Sequence, residues 1–182
     1  MTNPVLLANV NEKPIVRNES TLTEVFMQSV SGNWATVNDI LHLTGTLHHE
    51  ASTLFSQLRD TTQRERVDMV MKVLAELEEK QAIAVKQITE QAKGRTLSEW
   101  HRFEHLELRQ LLQHEHSCHD DMATSEVIEV ALALNDYLMD IFDSLANEAA
   151  SEASRELFEG MKELERSQRV ATVRSAMSVN DW

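Results

Sequence analysis

The chain has 182 residues, which is enough to bury one substantial core, and its 30 acidic against 17 basic residues give a formal net charge of -13. This charge disfavours nucleic acids and anionic membrane surfaces as partners. The single cysteine, Cys118, excludes an internal disulfide, and no apolar run approaches the roughly 18 residues that cross a bilayer. We therefore expect a protein of the reducing cytoplasm, with no nucleic-acid partner and no membrane insertion.

Residues 1–33 form a predicted N-terminal arm, because Pro4, Pro14 and Gly32 interrupt any apolar periodicity. Beyond the arm, the scarcity of Gly and Pro and the abundance of Ala, Leu, Glu and Gln favour helices over strands. We expect residues 34–182 to form one all-α domain. Its long helices are predicted at about 34–59, 62–92, 125–147 and 151–176, with a helical crossover at 95–124.

Apolar spacing and end signals mark the first two helices. Val37 and Leu41 begin a series of apolar residues at three- and four-residue steps, as an amphipathic helix requires. Thr62 stands three residues before Glu65, which predicts a capping box at the start of the second helix. Gly94 is expected to end that helix.

The crossover is predicted to contain a further helix over 97–117, because Thr96 and Glu99 repeat the capping pattern. Five of the eight histidines of the chain lie in this crossover. His101 and His105 stand four residues apart, so a helix would place both imidazoles on one face. The candidate ligands of a crossover metal site are His101, His105, His114, His116 and His119.

Two interpretations of these histidines stay open. Paired imidazoles near Cys118 suit zinc, nickel or copper. Interleaved acidic side chains instead favour ordinary surface histidines that pair with carboxylates. A hemerythrin-like oxygen site is a minor alternative, because its histidine and aspartate elements would all have to come from one short segment.

The most informative pattern is a repeat at an offset of 87 residues, which needs no gap. The residues of the first copy are Glu76, Leu77, Glu78 and Gln81, and those of the second are Glu163, Leu164, Glu165 and Gln168. Phe55 and Phe142 match at the same offset. Two similar helical hairpins are therefore predicted, and each can bury its apolar stripe against the other in an antiparallel four-helix bundle.

The spacing within each hairpin resembles the rubrerythrin branch of the ferritin-like superfamily, over roughly residues 36–90 and 124–175. Helices of that family carry a ligand Glu seven residues before an aromatic residue, and a Glu-x-x-His pair that begins twenty-three residues after it. Here the aromatic residues are Phe55 and Phe142. The resemblance implies a ferritin-like bundle with a di-iron centre in its middle.

The resemblance places six residues of this chain at that centre, and four of them differ from the family pattern. The six are His48, Glu78, Gln81, Asn135, Glu165 and Gln168. Only Glu78 and Glu165 keep the expected residue type. Because a di-iron centre of this kind uses four carboxylates and two imidazoles, the sequence predicts a hydrogen-bonded polar core in its place.

Two alternatives keep a metal in the core. Glu78, Glu165 and His48 are a ligand set for one divalent ion, with water completing the coordination. An intact dinuclear iron centre would need a small helix rotation that turns neighbouring polar residues inward. Those neighbours are His49, Glu50, Asp136 and Tyr137.

The predicted function follows from the replaced ligands and the acidic surface. We expect a non-catalytic ferritin-like bundle without a cofactor, acting through protein–protein contacts or as a regulatory or accessory subunit. A homo-oligomer such as a dimer is one expected assembly, because apolar residues of the arm need burial, and a partner protein is the other. The alternative is a metal-dependent oxidoreductase or iron-handling protein, either a rubrerythrin-like peroxidase or ferroxidase or a protein with a mononuclear site.

Overall fold

A computed structural model describes residues 34–103 and 122–180, and most of these residues are helical. The elements in chain order are β1 (Trp34–Thr36), α1 (Val37–Thr61), α2 (Glu65–Gln91), α3 (Gly94–Leu97), β2 (Trp100–Arg102), α4 (Thr124–Glu148) and α5 (Glu152–Asn180). The all-α class predicted from composition is therefore found, with one short β-ribbon as an exception. The predicted arm at 1–33 and residues 104–121 of the predicted crossover lie outside the described residues.

Four long helices make two hairpins. α1 packs along α2 and is joined to it by residues 62–64, while α4 packs along α5 and is joined to it by residues 149–151. α2 also packs against both α4 and α5, so the hairpins share one core. The predicted bounds of the four helices agree with these elements to within a few residues.

Aromatic side chains fill the shared core, and two of them, Phe55 and Phe142, are related by the repeat. Phe55, Phe142 and Phe158 are each almost completely buried. The rings of Phe142 and Phe158 stack with their centroids 6.3 Å apart and their planes 26° from parallel. Burial of each such side chain contributes about 1.5–3 kcal/mol relative to exposure, so these contacts hold α4 against α5.

The predicted capping box of α2 is wrong. α2 begins at Glu65 with Arg64 as its N-cap, and no side chain caps it. Thr62 instead closes α1, because its backbone N–H donates to the Leu58 carbonyl over 3.1 Å. Gly94 was expected to end α2, yet α2 ends at Gln91 and Gly94 begins α3.

A reciprocal capping box lies instead at the start of α1. The Thr36 hydroxyl accepts a hydrogen bond from the Asp39 backbone N–H over 3.1 Å, and the Asp39 carboxylate accepts one from the Thr36 N–H over 3.0 Å. This pair fixes the start of α1 three residues later than the predicted 34. Trp34 consequently belongs to a strand and not to the helix.

A two-stranded antiparallel ribbon replaces the first part of the predicted helix at 97–117. β1 pairs with β2 in the register Trp34 with Arg102, Ala35 with His101 and Thr36 with Trp100. The burial of β2 alternates, since His101 is buried and its neighbours Trp100 and Arg102 are exposed. A period of two is typical of a half-buried strand, and it overrides the helix signal of Thr96 and Glu99.

Glu99 ties the ribbon to both hairpins. Its carbonyl accepts a hydrogen bond from the Val37 N–H over 2.9 Å at the start of α1. Its carboxylate accepts hydrogen bonds from the Ser151 and Ser154 hydroxyls, each over 2.7 Å, at the start of α5. These hydroxyl bonds lower the pKa of Glu99, with that of Ser154 the largest cause. The ribbon therefore lies at the end of the helices where α1 and α5 begin.

The outer faces of the long helices carry surface ion pairs. Arg59 donates to Asp68 over 2.6 Å, and Lys162 pairs with Asp143. Exposed pairs of this kind contribute about 0–1 kcal/mol each, so they add little to the packing of the core. Within residues 34–103 and 122–180, no helix combines the length and the apolar character needed to span a bilayer.

Candidate functional site

Five of the six residues predicted for the core join one buried hydrogen-bonded network, and the network draws on all four long helices. His48 comes from α1, Glu78 from α2, Asn135 from α4, and both Glu165 and Gln168 from α5. His48, Glu78, Asn135 and Glu165 are 0% exposed, so water does not reach the charged groups of this network. We call these five residues the core cluster.

His48 lies between two carboxylates at the centre of the core cluster. Its Nδ1 is 2.7 Å from Glu78 Oε2, and its Nε2 is 3.0 Å from Glu165 Oε1. A carboxylate oxygen accepts hydrogen bonds, so both ring nitrogens act as donors only when the ring carries two protons. The geometry therefore favours an imidazolium ion, bridging α1 to α2 on one side and to α5 on the other.

The pKa of His48 agrees with this protonation. Burial by itself lowers the pKa, because it disfavours the charged ring. The hydrogen bonds and charges of Glu165 and Glu78 outweigh burial and raise the pKa from its ordinary 6.5 to about 9. His48 is thus cationic at neutral pH, and its charge offsets part of the negative charge of the two buried glutamates.

The side-chain amides of the core cluster donate hydrogen bonds to the remaining carboxylate oxygens. Asn135 Nδ2 donates to Glu165 Oε2 over 3.3 Å, and Gln168 Nε2 donates to Glu78 Oε1 over 3.4 Å. Each glutamate therefore accepts one bond from the ring and one longer bond from an amide. Gln81 is buried beside the cluster on α2, but its Nε2 has no hydrogen-bond partner within the part of the chain that the structure describes.

The donor set does not fit a dinuclear iron centre. Such a centre takes four carboxylates and two imidazoles, whereas the core cluster supplies two carboxylates and one imidazole, whose nitrogens are both directed at those carboxylates. Amide nitrogens that donate to the glutamates are not metal ligands in this arrangement. Within the part of the chain that the structure describes, no group of three or more His, Cys, Asp or Glu side chains is arranged to hold a metal ion.

The neighbours that a helix rotation would turn inward lie away from the core cluster. His49 is exposed and contacts Glu79 at 3.1 Å, and Asp136 accepts a surface hydrogen bond from Arg169 over 2.5 Å. Glu50 is exposed and Tyr137 is half-buried. The observed rotation of α1 and α4 thus directs His48 and Asn135 inward.

The predicted helical pair His101 and His105 is not formed, because His101 lies on β2. Its ring packs edge-on against Phe158 with the centroids 5.1 Å apart, and its Nε2 has no hydrogen-bond partner among residues 34–103 and 122–180. Burial lowers the pKa of His101, against the opposing charges of Glu99 and Glu148. His101 is consequently a packed residue of the ribbon. The other crossover candidates, His105, His114, His116 and His119, lie outside the described residues.

The contacts of two buried polar residues, Ser52 and Thr172, and of the half-buried Glu99 were not anticipated from the sequence. The Ser52 hydroxyl donates to the Ala75 carbonyl over 2.9 Å and so joins α1 to α2. Thr172, one turn beyond Gln168, is 0% exposed, and its hydroxyl lacks a hydrogen-bond partner among the described residues. Glu99 anchors the ribbon. The offset of 87 gives no signal for Thr172, because its counterpart in the first copy is the apolar Val85.

Comparisons with known proteins assign no role to these residues. No protein-family model, no curated protein and no solved structure matches the chain. The likeness to ferritin-like proteins is therefore a prediction from residue spacing. What the core cluster can do follows from its own geometry, in which charge-assisted hydrogen bonds engage all four oxygens of Glu78 and Glu165.

Proposed function

We propose that this protein is a non-catalytic four-helix bundle of the ferritin-like kind that acts through contacts with other proteins, as a regulatory or accessory subunit in the cytoplasm. The observation that carries the proposal is the position of His48 between Glu78 and Glu165. A protonated ring supplies the positive charge that metal ions would otherwise supply to the two glutamates. The core then serves to hold the hairpins together.

The energetics of burial support this interpretation. Two unpaired carboxylates inside a protein cost several kcal/mol each, and charge-assisted hydrogen bonds offset this cost when every charged atom has a partner. All four carboxylate oxygens of Glu78 and Glu165 have a partner within the core cluster. The carboxylate oxygens are therefore engaged by protein donors in place of a metal ion.

A mononuclear metal site is the competing function. It is favoured by one observation, which is that Asn135 Oδ1 is buried beside the two glutamates and has no hydrogen-bond partner among the described residues. A metal ion at this place would have to displace the proton from at least one nitrogen of His48. Iron-handling or redox activity would then depend on Glu78 and Glu165.

Metal analysis separates the two functions. We expect protein purified without chelators, and protein reconstituted anaerobically with ferrous iron, to retain far less than one ion per chain after desalting. We also expect no iron-dependent absorption to develop in air. Stoichiometric iron that is lost in the Glu78→Gln, Glu165→Gln variant would show instead that the core is a metal site, while iron that persists in that variant would be adventitious.

A further inference from the structure

The outward face of the ribbon carries two of the three tryptophans of the chain. Trp34 is 52% exposed and Trp100 is 59% exposed. In the observed register Trp34 stands opposite Arg102, and Trp100 stands opposite Thr36. These four residues share the side of the ribbon that faces away from the core, and we call them the tryptophan face.

The packing of the ribbon does not require these aromatic rings. The inward side supplies the packing, since Ala35 and His101 are buried there and Phe103 is buried just beyond β2. Large exposed aromatic rings are uncommon on a surface without a partner, whereas Trp and Arg are enriched in the residues that dominate protein–protein interfaces. The composition of the tryptophan face is therefore that of a docking surface.

Exposed basic side chains stand on and beside this surface. Lys93 and Arg95 precede β2, Arg102 lies on the tryptophan face, and all three are exposed. Glu99 is the only acidic residue between 92 and 103, and its carboxylate is engaged by the Ser151 and Ser154 hydroxyls. A basic aromatic surface on a protein of net charge -13 attracts an anionic partner.

We propose that the tryptophan face, with Lys93 and Arg95, docks an acidic polypeptide segment of a partner protein in which apolar side chains alternate with carboxylates. Apolar side chains of such a segment would cover the rings of Trp34 and Trp100, and its carboxylates would pair with the basic side chains. This inference rests on the proposed function and names the class of partner. A second copy of the chain is a poorer occupant, because two such faces brought together would oppose their basic residues.

The probe for the test is a short fluorescein-labelled peptide that alternates glutamate with leucine, and the matched control peptide alternates lysine with leucine. Fluorescence anisotropy with the full chain is expected to show saturable binding of the acidic peptide and little binding of the basic one. Binding should weaken as salt is added, because exposed charges are screened.

Substitutions then locate the binding surface. The Trp34→Ser, Trp100→Ser variant is expected to bind the acidic peptide about thirtyfold more weakly or worse, which is the loss typical of interface hot spots. Arg95→Glu should weaken binding and reduce its salt dependence.

The matched controls are Ile83→Ser, which removes an exposed apolar side chain on α2, and Lys86→Glu, which reverses an exposed charge there. Both controls should leave binding unchanged, and circular dichroism verifies that every variant folds.

Three outcomes would overturn the inference. The first is that the acidic peptide fails to bind, or binds the tryptophan variant as well as the parent. The second is a dimer in sedimentation that the tryptophan substitutions abolish, which would assign the face to a second copy. The third is binding to phosphatidylserine vesicles in place of the peptide. The proposed function fails on different data, namely stoichiometric iron bound by Glu78 and Glu165.

Discussion

His48 is the residue on which the core depends, because it is the one positive charge among the buried residues of the core cluster. Both of its nitrogens are used, at 2.7 Å and 3.0 Å from carboxylate oxygens. Glutamine or asparagine at this position would supply no charge and a single donor group. The energetic consequence is that removal of His48 should destabilise the protein far more than removal of the two carboxylates.

Replacement of His48 by leucine should destabilise the protein by about 3–5 kcal/mol, because it leaves two buried carboxylates without their cation. The matched comparison is the Glu78→Gln, Glu165→Gln variant with His48 retained. A neutral ring can then donate to one amide oxygen and accept from the other amide nitrogen, so stability should stay within about 1 kcal/mol of the parent. Urea unfolding measures both values. Equal losses in the two variants would contradict the account of the cluster.

The pH dependence of stability provides a second prediction at this scale. The pKa of His48 rises from 6.5 to about 9 on folding, so its contribution is fully present below pH 6.5 and is lost as the pH rises towards about 9. The free energy of unfolding should fall over this window by an amount on the order of 3 kcal/mol. Urea unfolding across this range should show the fall in the parent, and a flat profile in the Glu78→Gln, Glu165→Gln variant serves as the control.

At the scale of single elements, a few residues fix how the ribbon lies against the long helices. Ala35 and His101 face inward, while Trp34 and Trp100 face outward. Glu99 then fixes the ribbon against α5 through two serine hydroxyls. The first turn of α5 is therefore held by a carboxylate from outside the helix, which is favourable at a helix N-terminus.

Replacement of Glu99 by alanine should destabilise the protein by about 1–2 kcal/mol, because the Ser151 and Ser154 hydroxyls lose a charged acceptor. Glu90→Ala removes an exposed carboxylate from the last turn of α2 and is the matched control, with a change below about 0.5 kcal/mol. Thermal unfolding ranks the two variants. Hydrogen exchange at the start of α5 should quicken in Glu99→Ala alone, and unchanged exchange there would refute the anchoring role.

The long helices were predictable from the sequence, whereas the capping motifs did not predict how the helices begin. The apolar steps of α1 and the repeat fixed the long helices to within a few residues, because periodicity integrates over many positions. The signal of Thr62 and Glu65 failed because Thr62 closes α1, and that of Thr96 and Glu99 failed because Glu99 bonds to serines more than fifty residues away. A capping motif of two residues carries too little information to outweigh such tertiary contacts.

At the scale of the whole molecule, the repeat specifies which residues lie inside. Glu78 and Glu165, related by the offset of 87, are both completely buried, and so are His48 and Asn135. The sequence does not reveal that the ring of His48 lies between the two glutamates, because that contact joins residues 117 positions apart. Residue spacing therefore predicts which positions of the repeat face the core, whereas the hydrogen-bond partners depend on how the two hairpins pack against each other.

The contacts that join the hairpins predict cooperative unfolding of the described region. The core cluster joins all four long helices, and Glu99 joins the ribbon to α1 and α5. Urea transitions followed by far-ultraviolet circular dichroism, which reports the helices, should therefore coincide with those followed by tryptophan emission, which reports the ribbon. In the Trp182→Phe control the emission comes from Trp34 and Trp100 alone. Two separated midpoints would show that the ribbon unfolds on its own.

His48 and Asn135 occupy equivalent positions of the repeat, and because these two residues differ, the two halves of the chain are not interchangeable. A chain built from two first hairpins would bury two imidazoles between its glutamates, and a chain built from two second hairpins would bury none. Only the mixed combination places one shared cation between one acid from each half. The two copies thus differ in role, because the first supplies the cation that serves the buried glutamates of both.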